Sequence, residues 1–300
     1  MNDAMLVSAE ETHRLLSDDD VAFYREHGWY RAGTIIPDEL LDEVMEGAER
    51  HFRGERDWLL PIEGGYSDWK PSDGNVTRNC QAVALQNRQV RKLAMSSLLG
   101  AIAARLTGSP TIRYFDDSLV YKPAGLAGPG TVVGWHTDRA YWGTCTSDSM
   151  LTAWIPFQDT PEEMGPVTYV DGSHRWPGAA RMRTFGVTDL AELEARFMSD
   201  KNAVRKVPMA LRRGEASFHS CLTVHGSADN RSPLPRAALV VHMQPGDNRF
   251  RVHVDERTGK PWHVFNDDLA RKLDDGTPDY TDPSVFPVMW PSRPDLGRAA

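Results

Sequence analysis

Short β-rich segments, separated by turns that contain glycine and proline, are the feature of this sequence that most constrains its fold. The segments lie at residues 112–122, 131–138, 150–157, 166–170, 204–211, 215–225 and 236–244. Strands of this length and spacing predict a sandwich or a barrel, and they do not fit an alternation of strands and helices in a parallel sheet. The fold class is therefore expected to be mainly β.

Helical patterns flank the β-rich region. Ser17 and the three aspartates after it predict an N-cap with an acidic first turn, and the helix is expected to end at Gly28. A short strand over residues 29–36 and a helix from Pro37 onward are expected next. Further helices are predicted at residues 89–106, 190–198 and 266–273, and a loop at residues 54–78.

One domain over residues 1–300 is the simplest prediction, because no internal repeat or domain boundary is visible. It divides into a helical N-terminal part at residues 17–110, a β-rich core at residues 111–245 and a C-terminal extension at residues 246–300. The extension is polar and rich in proline, and we expect it either to wrap the sheet or to cover the functional site.

Composition narrows the class of protein. The chain carries a net charge of −8 and shows no basic patch, which argues against a nucleic-acid partner. The longest apolar runs, such as residues 237–241, are too short to span a bilayer, so no membrane partner is expected. The three cysteines lack framework spacing, and the N-terminus lacks the pattern of a signal peptide. We therefore expect a soluble cytoplasmic protein with reduced thiols, whose oligomeric state the sequence leaves open.

Two histidines and a carboxylate stand where they can bind a metal. His136 and Asp138 are two residues apart in a predicted strand, so both side chains point to one face, and His225 arrives from another strand or its end. Imidazole and carboxylate in a facial triad leave positions open on Fe(II), whereas a structural zinc site needs a fourth ligand. His219 and His242 lie in the same β-rich region and are alternatives for the distal histidine.

Arg236 follows the distal histidine by eleven residues. A guanidinium group binds a carboxylate in a bidentate, charge-assisted pair, which suits a dicarboxylate co-substrate. On its own, an arginine at the start of a strand would more often be an exposed residue. Together with the triad, this arginine points to an oxygenase that acts on a small molecule.

The order of several motifs resembles that of the phytanoyl-CoA dioxygenase (PhyH) family of Fe(II)/2-oxoglutarate-dependent oxygenases. The resemblance runs over residues 18–245, and the matching segments are residues 23–28, 121–123, 135–138, 151–156, 165–174 and 224–239. It implies a double-stranded β-helix, which is a cupin-like jelly roll, for residues 111–245. It also implies that His136, Asp138 and His225 bind Fe(II), and that 2-oxoglutarate and O₂ are the co-substrates.

The same resemblance implies a binding site for 2-oxoglutarate. Arg236 would bind its far carboxylate, and three further residues would lie close to it, namely Ser227, Trp154 and Lys122. The family often has glutamine between the first two metal ligands, and this chain has Thr137 there, so no role is carried over to that residue. Asp138 fills a position that related halogenases give to a small residue, which predicts oxygen chemistry and not halide chemistry.

The substrate is less constrained than the metal site. Candidate substrate contacts are Arg139, Tyr141 and Trp142, which follow the metal motif, and Asn79 and Gln81, which precede the third helix. No basic cluster for a coenzyme A pyrophosphate is visible, so the prediction is hydroxylation of a small molecule of secondary metabolism. The same iron centre would also support desaturation, epimerisation or cyclisation.

Two alternatives belong to other classes of protein. A metal-dependent hydrolase would use the same three ligands, but it needs a general base, and none can be named in the sequence. A non-catalytic jelly-roll protein would bind a metal or a small ligand without turnover. The complete triad together with Arg236 argues against the second alternative.

Overall fold

The computed structural model describes residues 15–125, 131–197, 204–255 and 258–291. Its strands form two antiparallel sheets. The larger sheet has the order β1 (Trp29–Thr34), β8 (Glu215–Ser220), β5 (Leu151–Pro156), β10 (Arg236–Pro245), β3 (Ile112–Lys122) and β11 (Val288–Trp290), and β2 (Arg78–Gln81) also pairs with β3. The smaller sheet has the order β4 (Val133–His136), β9 (His225–Ser227), β6 (Thr168–Val170) and β7 (Lys206–Pro208).

The path of the chain between the two sheets defines the topology. From β3 to β10 the chain passes back and forth between the larger and the smaller sheet, and only β6 and β7 follow each other within one sheet. All strand pairs are antiparallel. This alternation is that of a double-stranded β-helix, so the predicted jelly-roll fold is confirmed.

Helices precede, interrupt and follow the sheets in the described residues. They are α1 (Asp18–His27), α2 (Asp38–Phe52), α3 (Arg88–Ala94), α4 (Ser97–Thr107), α5 (Leu190–Phe197) and α6 (Phe265–Leu269). The first helix begins and ends as predicted. Ser17 forms a capping box with Asp20, and Gly28 ends the helix at φ 79°, a left-handed conformation that glycine adopts without strain.

Several predicted elements have different bounds in the structure. The single helix expected over residues 89–106 is two helices, because Ser96 N-caps α4 inside the apolar pattern. The strand expected over residues 215–225 is β8 and β9, which belong to different sheets. The strand expected over residues 131–138 ends at His136, and Asp138 begins a short 3₁₀ turn. Two short strands, β2 and β11, were not expected from the sequence at all.

The two faces of the larger sheet differ in chemistry. One face packs against α2, α3 and α4 and forms the main apolar core, with Leu119, Ile155, Phe218, Leu239 and Val241 as strand residues. The other face carries polar and charged side chains at positions that the register aligns. Arg236 lies opposite Lys122, and His242 lies between Asp116 on one neighbour and Thr152 on the other. This polar face, called here the inner face, is the one that carries the site.

The C-terminal extension packs against the larger sheet. Strand β11 pairs with the beginning of β3, and the rings of Phe286 and Phe115 stack with centroids 5.8 Å apart. Tyr280 is buried, and its hydroxyl donates to Asp267 at 2.7 Å. Of the two roles expected for the extension, the structure therefore bears out the wrapping of the sheet. No helix among the described residues has both the length and the apolar character needed to cross a membrane.

Candidate metal centre

His136 and His225 face each other across the smaller sheet. They are opposite partners in the register of β4 and β9, and their ring centroids are 4.1 Å apart. The Nδ1 atom of each ring lies at hydrogen-bond distance from a backbone carbonyl, 2.7 Å from Gly134 O and 2.9 Å from Thr223 O. Because Nδ1–H donates to that carbonyl, the lone pair of each Nε2 is free to bind a metal.

Asp138 supplies an oxygen to the same point. Its Oδ1 atom is 3.9 Å from Nε2 of His136 and 3.5 Å from Nε2 of His225. Its Oδ2 atom accepts a hydrogen bond from Thr152 Oγ1 at 2.6 Å and lies 3.2 Å from Nε2 of His219. One oxygen is thus held by the protein and the other is free. The ligand atoms of the three residues all lie within 4.8 Å of one another, which fits a facial donor set of two imidazoles and one carboxylate.

The two histidines that the sequence left as alternatives support the carboxylate in this structure. The Nδ1 atom of His242 lies 2.8 Å from the hydroxyl oxygen of Thr152, which in turn donates to Asp138. Since a hydroxyl has one proton, His242 is the donor in its own bond to Thr152. His219 continues in the other direction, with Nδ1 3.2 Å from the hydroxyl of Tyr169.

The charge states of the buried site suit a divalent cation. Burial lowers the pKa of His225, His219 and His242 to about 4, and it also lowers the pKa of His136. Burial alone would raise the pKa of Asp138, but the surrounding imidazoles, His225 first, hold that pKa well below its usual value. Neutral imidazoles and an ionised carboxylate are the forms that bind metals.

A second group of potential ligands is less suited to a metal. His51, Asp68 and Cys80 also bring their ligand atoms within 4.8 Å of one another. However, the guanidinium group of Arg56 already donates to Asp68 at 3.0 Å. Burial and the charge of Asp68 raise the pKa of the Cys80 thiol to about 12, which disfavours the thiolate that a metal needs.

Arg236 and Lys122 form a buried cationic pair beside the triad. Arg236 is 2% exposed, and its Nε atom has no hydrogen-bond partner. No carboxylate of the described residues forms an ion pair with it, and burial lowers its pKa to about 10. Burial and the charge of Arg236 lower the pKa of Lys122 well below its usual value. A buried arginine without a carboxylate partner is costly, and an anionic ligand such as a dicarboxylate would offset that cost.

Ser227 and Trp154 lie beside these cations. The ammonium group of Lys122 donates to Ser227 Oγ at 2.6 Å, which links the end of β3 to β9. The guanidinium carbon of Arg236 is 5.6 Å from the ring centroid of Trp154, a cation–π distance. The four residues expected near 2-oxoglutarate are therefore close together, three on the inner face of the larger sheet and Ser227 on the smaller sheet.

The predicted substrate contacts after the metal motif have different surroundings. Tyr141 lies near the triad, with its ring centroid 6.0 Å from that of His136. Trp142 is buried and packs edge-on against His242 at 5.0 Å. Arg139 is buried as well, and its guanidinium group donates to Asp148, Trp142 O and Cys145 O. Because its donors are used within this loop, Arg139 has a structural role here.

Asn79 and Gln81 lie on β2, opposite Val120 and Ser118 of β3. This pairing puts both side chains on the inner face with Lys122. Sequence reasoning missed Phe185, whose ring centroid is 4.9 Å from that of His136. It also missed Thr152, which binds Asp138 from a neighbouring strand. No local pattern marks either residue, because only the packing of distant segments brings it to the site.

The fold and the donor set together define a class of protein. A double-stranded β-helix with a His–Asp–His facial set and a buried, unneutralised arginine is the arrangement of an Fe(II)/2-oxoglutarate oxygenase. The model of the phytanoyl-CoA dioxygenase (PhyH) family matches residues 24–238, and the chain belongs to this family.

Known relatives cover most of the chain. An ectoine dioxygenase of Bordetella bronchiseptica is 25% identical over 275 residues, which are 83% of this chain and 82% of that protein. The crystal structure of the carbocyclase SnoK from nogalamycin biosynthesis superposes with a TM-score of 0.69 at 24% identity, over 94% of this chain and 98% of that one. The epimerase SnoN, in complex with Fe³⁺, α-ketoglutarate and nogalamycin RO, gives 0.66 at 22% identity, over 94% and 100%.

The chain is thus a non-haem Fe(II)/2-oxoglutarate-dependent dioxygenase, an oxidoreductase that uses Fe(II), 2-oxoglutarate and O₂. The residues present fit this cofactor set, since three converging ligand atoms and an unpaired buried arginine are available for it. The hydrolase and the non-catalytic binding protein are therefore set aside.

Proposed function

We propose that this enzyme hydroxylates a small molecule of secondary metabolism, with Fe(II) bound by His136, Asp138 and His225. The observation that carries the metal assignment is the convergence of two free Nε2 atoms and one free carboxylate oxygen. Bound Fe(II), 2-oxoglutarate and O₂ supply the oxidation of an unactivated C–H bond. The protein contributes the orientation of the reactants and the exclusion of water.

Arg236 binds the far carboxylate of 2-oxoglutarate in this proposal. Its buried guanidinium group has no carboxylate partner in the described chain, so the co-substrate would neutralise it. Lys122 and Ser227, which are hydrogen-bonded to each other, fix the depth of this end of the pocket. Trp154 covers the guanidinium group with its ring and keeps water away from the ion pair.

The role in secondary metabolism is supported by likeness to solved structures. Two of the similar solved structures, SnoK and SnoN, are of enzymes from nogalamycin biosynthesis. Those two proteins are described as a carbocyclase and an epimerase, so cyclisation and epimerisation are the second candidate reactions for this chain. We expect the substrate to be a small molecule in either case.

The test is an anaerobic titration of the Fe(II)-loaded protein with 2-oxoglutarate, read as the weak visible charge-transfer band of the chelate. We expect a saturable band in the wild type. His225→Ala should abolish it, because one of the three ligands is lost. Arg236→Ala should keep the band but need roughly a hundredfold more 2-oxoglutarate, since a buried charge-assisted pair is lost.

Two controls make the result specific. His263→Ala removes a histidine whose side chain is 53% exposed and which pairs with Asp268, and it should leave the titration unchanged. Arg236→Lys should fall between the wild type and Arg236→Ala, because lysine keeps the charge but not the fork. The assignment would be contradicted if the band persisted in His225→Ala. It would also be contradicted if Arg236→Ala bound 2-oxoglutarate as tightly as the wild type.

Product analysis separates the candidate reactions once a substrate is found. A product heavier by one oxygen atom indicates hydroxylation. A loss of two hydrogen atoms indicates desaturation or cyclisation, and an unchanged mass indicates epimerisation. Either of the last two results would replace hydroxylation and leave the iron and co-substrate assignments standing.

A further inference from the structure

Three polar side chains form a row on the inner face that neither the metal nor 2-oxoglutarate uses. Asn79 and Gln81 lie on β2, and Asp116 lies on β3. Gln81 is opposite Ser118, and Asp116 is opposite His242 on the other side of β3. Opposite residues of antiparallel strands point to the same face, so the row shares the face that carries His242 and Arg236.

The row lies close to the proposed metal site without belonging to it. The Nδ1 atom of His242 is 3.9 Å from Asp138 Oδ2, and Asp116 is the partner of His242 on the next strand. Opposite residues have Cα atoms about 5 Å apart. Asp116 is therefore roughly one side chain away from the residues that support the triad, which is a suitable distance for holding a bound substrate.

Asp116 and Asn79 have hydrogen-bond acceptors that the protein does not use. Asp116 is 4% exposed, and its Oδ1 atom is buried without a hydrogen-bond partner. Its Oδ2 atom lies at a long distance of 3.4 Å from the side-chain amide of Gln81. The Oδ1 atom of Asn79 is likewise buried and unpartnered. No ion pair of the described residues involves Asp116, and such burial is costly unless a ligand compensates for it.

The neighbouring Asp117 shows that an unpartnered carboxylate oxygen is not a general property of aspartates on β3. Asp117 points to the opposite face and accepts hydrogen bonds from the backbone N–H groups of Val83 and Ala84 and from the hydroxyl of Tyr114. Asp117 thus holds the turn after β2 in place. Burial and the charge of Asp117 raise the pKa of Asp116 well above the usual value, and backbone N–H groups of Asp117 and Ala82 offset only part of this rise.

We propose that Asp116 anchors the substrate through an amino or hydroxyl group that donates a hydrogen bond to its Oδ1 atom. The inference rests on the proposed function, because it places the donor-bearing end of the substrate next to the proposed iron site. Gln81 positions Asp116 by its bond to Oδ2. The substrate class is then a small molecule with an amine or hydroxyl group at one end and its oxidised carbon nearer His136 and His225.

The test uses three small probes of matched ring size on the anaerobic Fe(II)–2-oxoglutarate protein. They are cyclohexylamine, cyclohexanol and cyclohexanone, and binding is read from the change in the visible chelate band and from Tm. The amine and the alcohol should bind at least about tenfold more tightly than the ketone, which has no donor. Asp116→Asn should weaken the amine about tenfold or more and the alcohol less, since the amide oxygen still accepts.

Asp117→Asn is the matched control. It replaces the neighbouring carboxylate with an amide, as Asp116→Asn does. It should lower Tm while leaving probe binding unchanged. Equal binding of amine, alcohol and ketone, equal binding by wild type and Asp116→Asn, or no binding of either donor probe would overturn the proposal. Loss of the chelate band before any probe is added would instead contradict the iron and 2-oxoglutarate assignment, so the two failures are distinguishable.

Discussion

The position of the free oxygen of Asp138 depends on the hydrogen bonds that hold its other oxygen. Thr152 donates to Oδ2 at 2.6 Å, and its own oxygen is fixed by His242 at 2.8 Å. His219 approaches the same oxygen from β8 at 3.2 Å. Because Oδ2 is held in this way, Oδ1 is turned toward the two Nε2 atoms, and the carboxylate cannot rotate without breaking these bonds.

Thr152→Val should therefore weaken iron binding while keeping all three ligands. Valine has nearly the shape of threonine but no hydroxyl, so both hydrogen bonds are lost. We expect Fe(II) affinity to fall roughly tenfold to a hundredfold, measured by competition with a chelator of known affinity. Thr107→Val, which removes a hydroxyl bond to Ala103 O at the end of α4, should leave the affinity unchanged. Wild-type affinity in Thr152→Val would show that the hydroxyl does not orient the carboxylate.

Some residues of the site can be predicted from the sequence, and others reach the site only through the pairing of distant strands. His136, Asp138, His225 and Arg236 can be proposed from sequence, because their types and spacing reflect a chemical requirement. Thr152, His219 and His242 meet Asp138 only through the register of β5, β8 and β10, which no local pattern specifies. Lys122 at the end of a strand looks like an exposed residue in the sequence, yet it is fully buried.

At the scale of the elements, strand β4 can hold His136 in place because Gly134, two residues earlier, has no side chain. Gly134 donates its N–H to Phe185 O, and the chain at residues 184–187 crosses directly over it. A Cβ atom at Gly134 would lie 2.1 Å from Thr184 O and 2.3 Å from Val187 O. These are backbone atoms, so the segment would have to move as a whole, and Phe185 beside His136 would move with it.

Gly134→Ala should thus destabilise the protein and disturb the site together. We expect a loss of at least about 2 kcal/mol in the free energy of unfolding, measured by urea denaturation, and weaker Fe(II) binding. Gly186→Ala is the matched control in the crossing segment, since a Cβ atom there meets nothing within 4 Å. It should change stability by less than about 0.5 kcal/mol. Similar effects of the two substitutions would rule out the close approach as the cause.

The bounds of the elements show where sequence patterns stop being informative. The helix α1 and the strand β3 are predicted to the residue, because caps define the helix and turn residues bound the β-rich segment of the strand. The strands β2 and β11 have four and three residues, and they exist because β3 offers them a partner. The strand predicted at residues 215–225 is divided because its two halves pair with different sheets, which depends on tertiary structure.

For the whole molecule, both ends of the described chain belong to one sheet. Strand β1 forms one edge of the larger sheet, and β11 pairs beside β3 at the other. The extension also reaches the site through a series of ring contacts. Phe286 stacks on Phe115, Phe115 packs against Trp142 at 5.4 Å, and Trp142 packs against His242 at 5.0 Å. We therefore propose that the chain unfolds as one domain and that the extension stabilises the metal site.

A chain that ends at residue 263 tests both parts of this proposal against a chain that ends at residue 291. The shorter chain lacks α6, Tyr280, Phe286 and β11, so it leaves Phe115 and Trp142 without their buried partners. We expect a lower Tm, binding of a hydrophobic dye and weaker Fe(II) affinity, because His242 loses the packing behind Trp142. The longer chain should show one cooperative transition by calorimetry and by circular dichroism. Two separate transitions in the longer chain would mean that the extension is an independent unit. An unchanged Fe(II) affinity in a folded shorter chain would mean that the ring contacts do not stabilise the metal site.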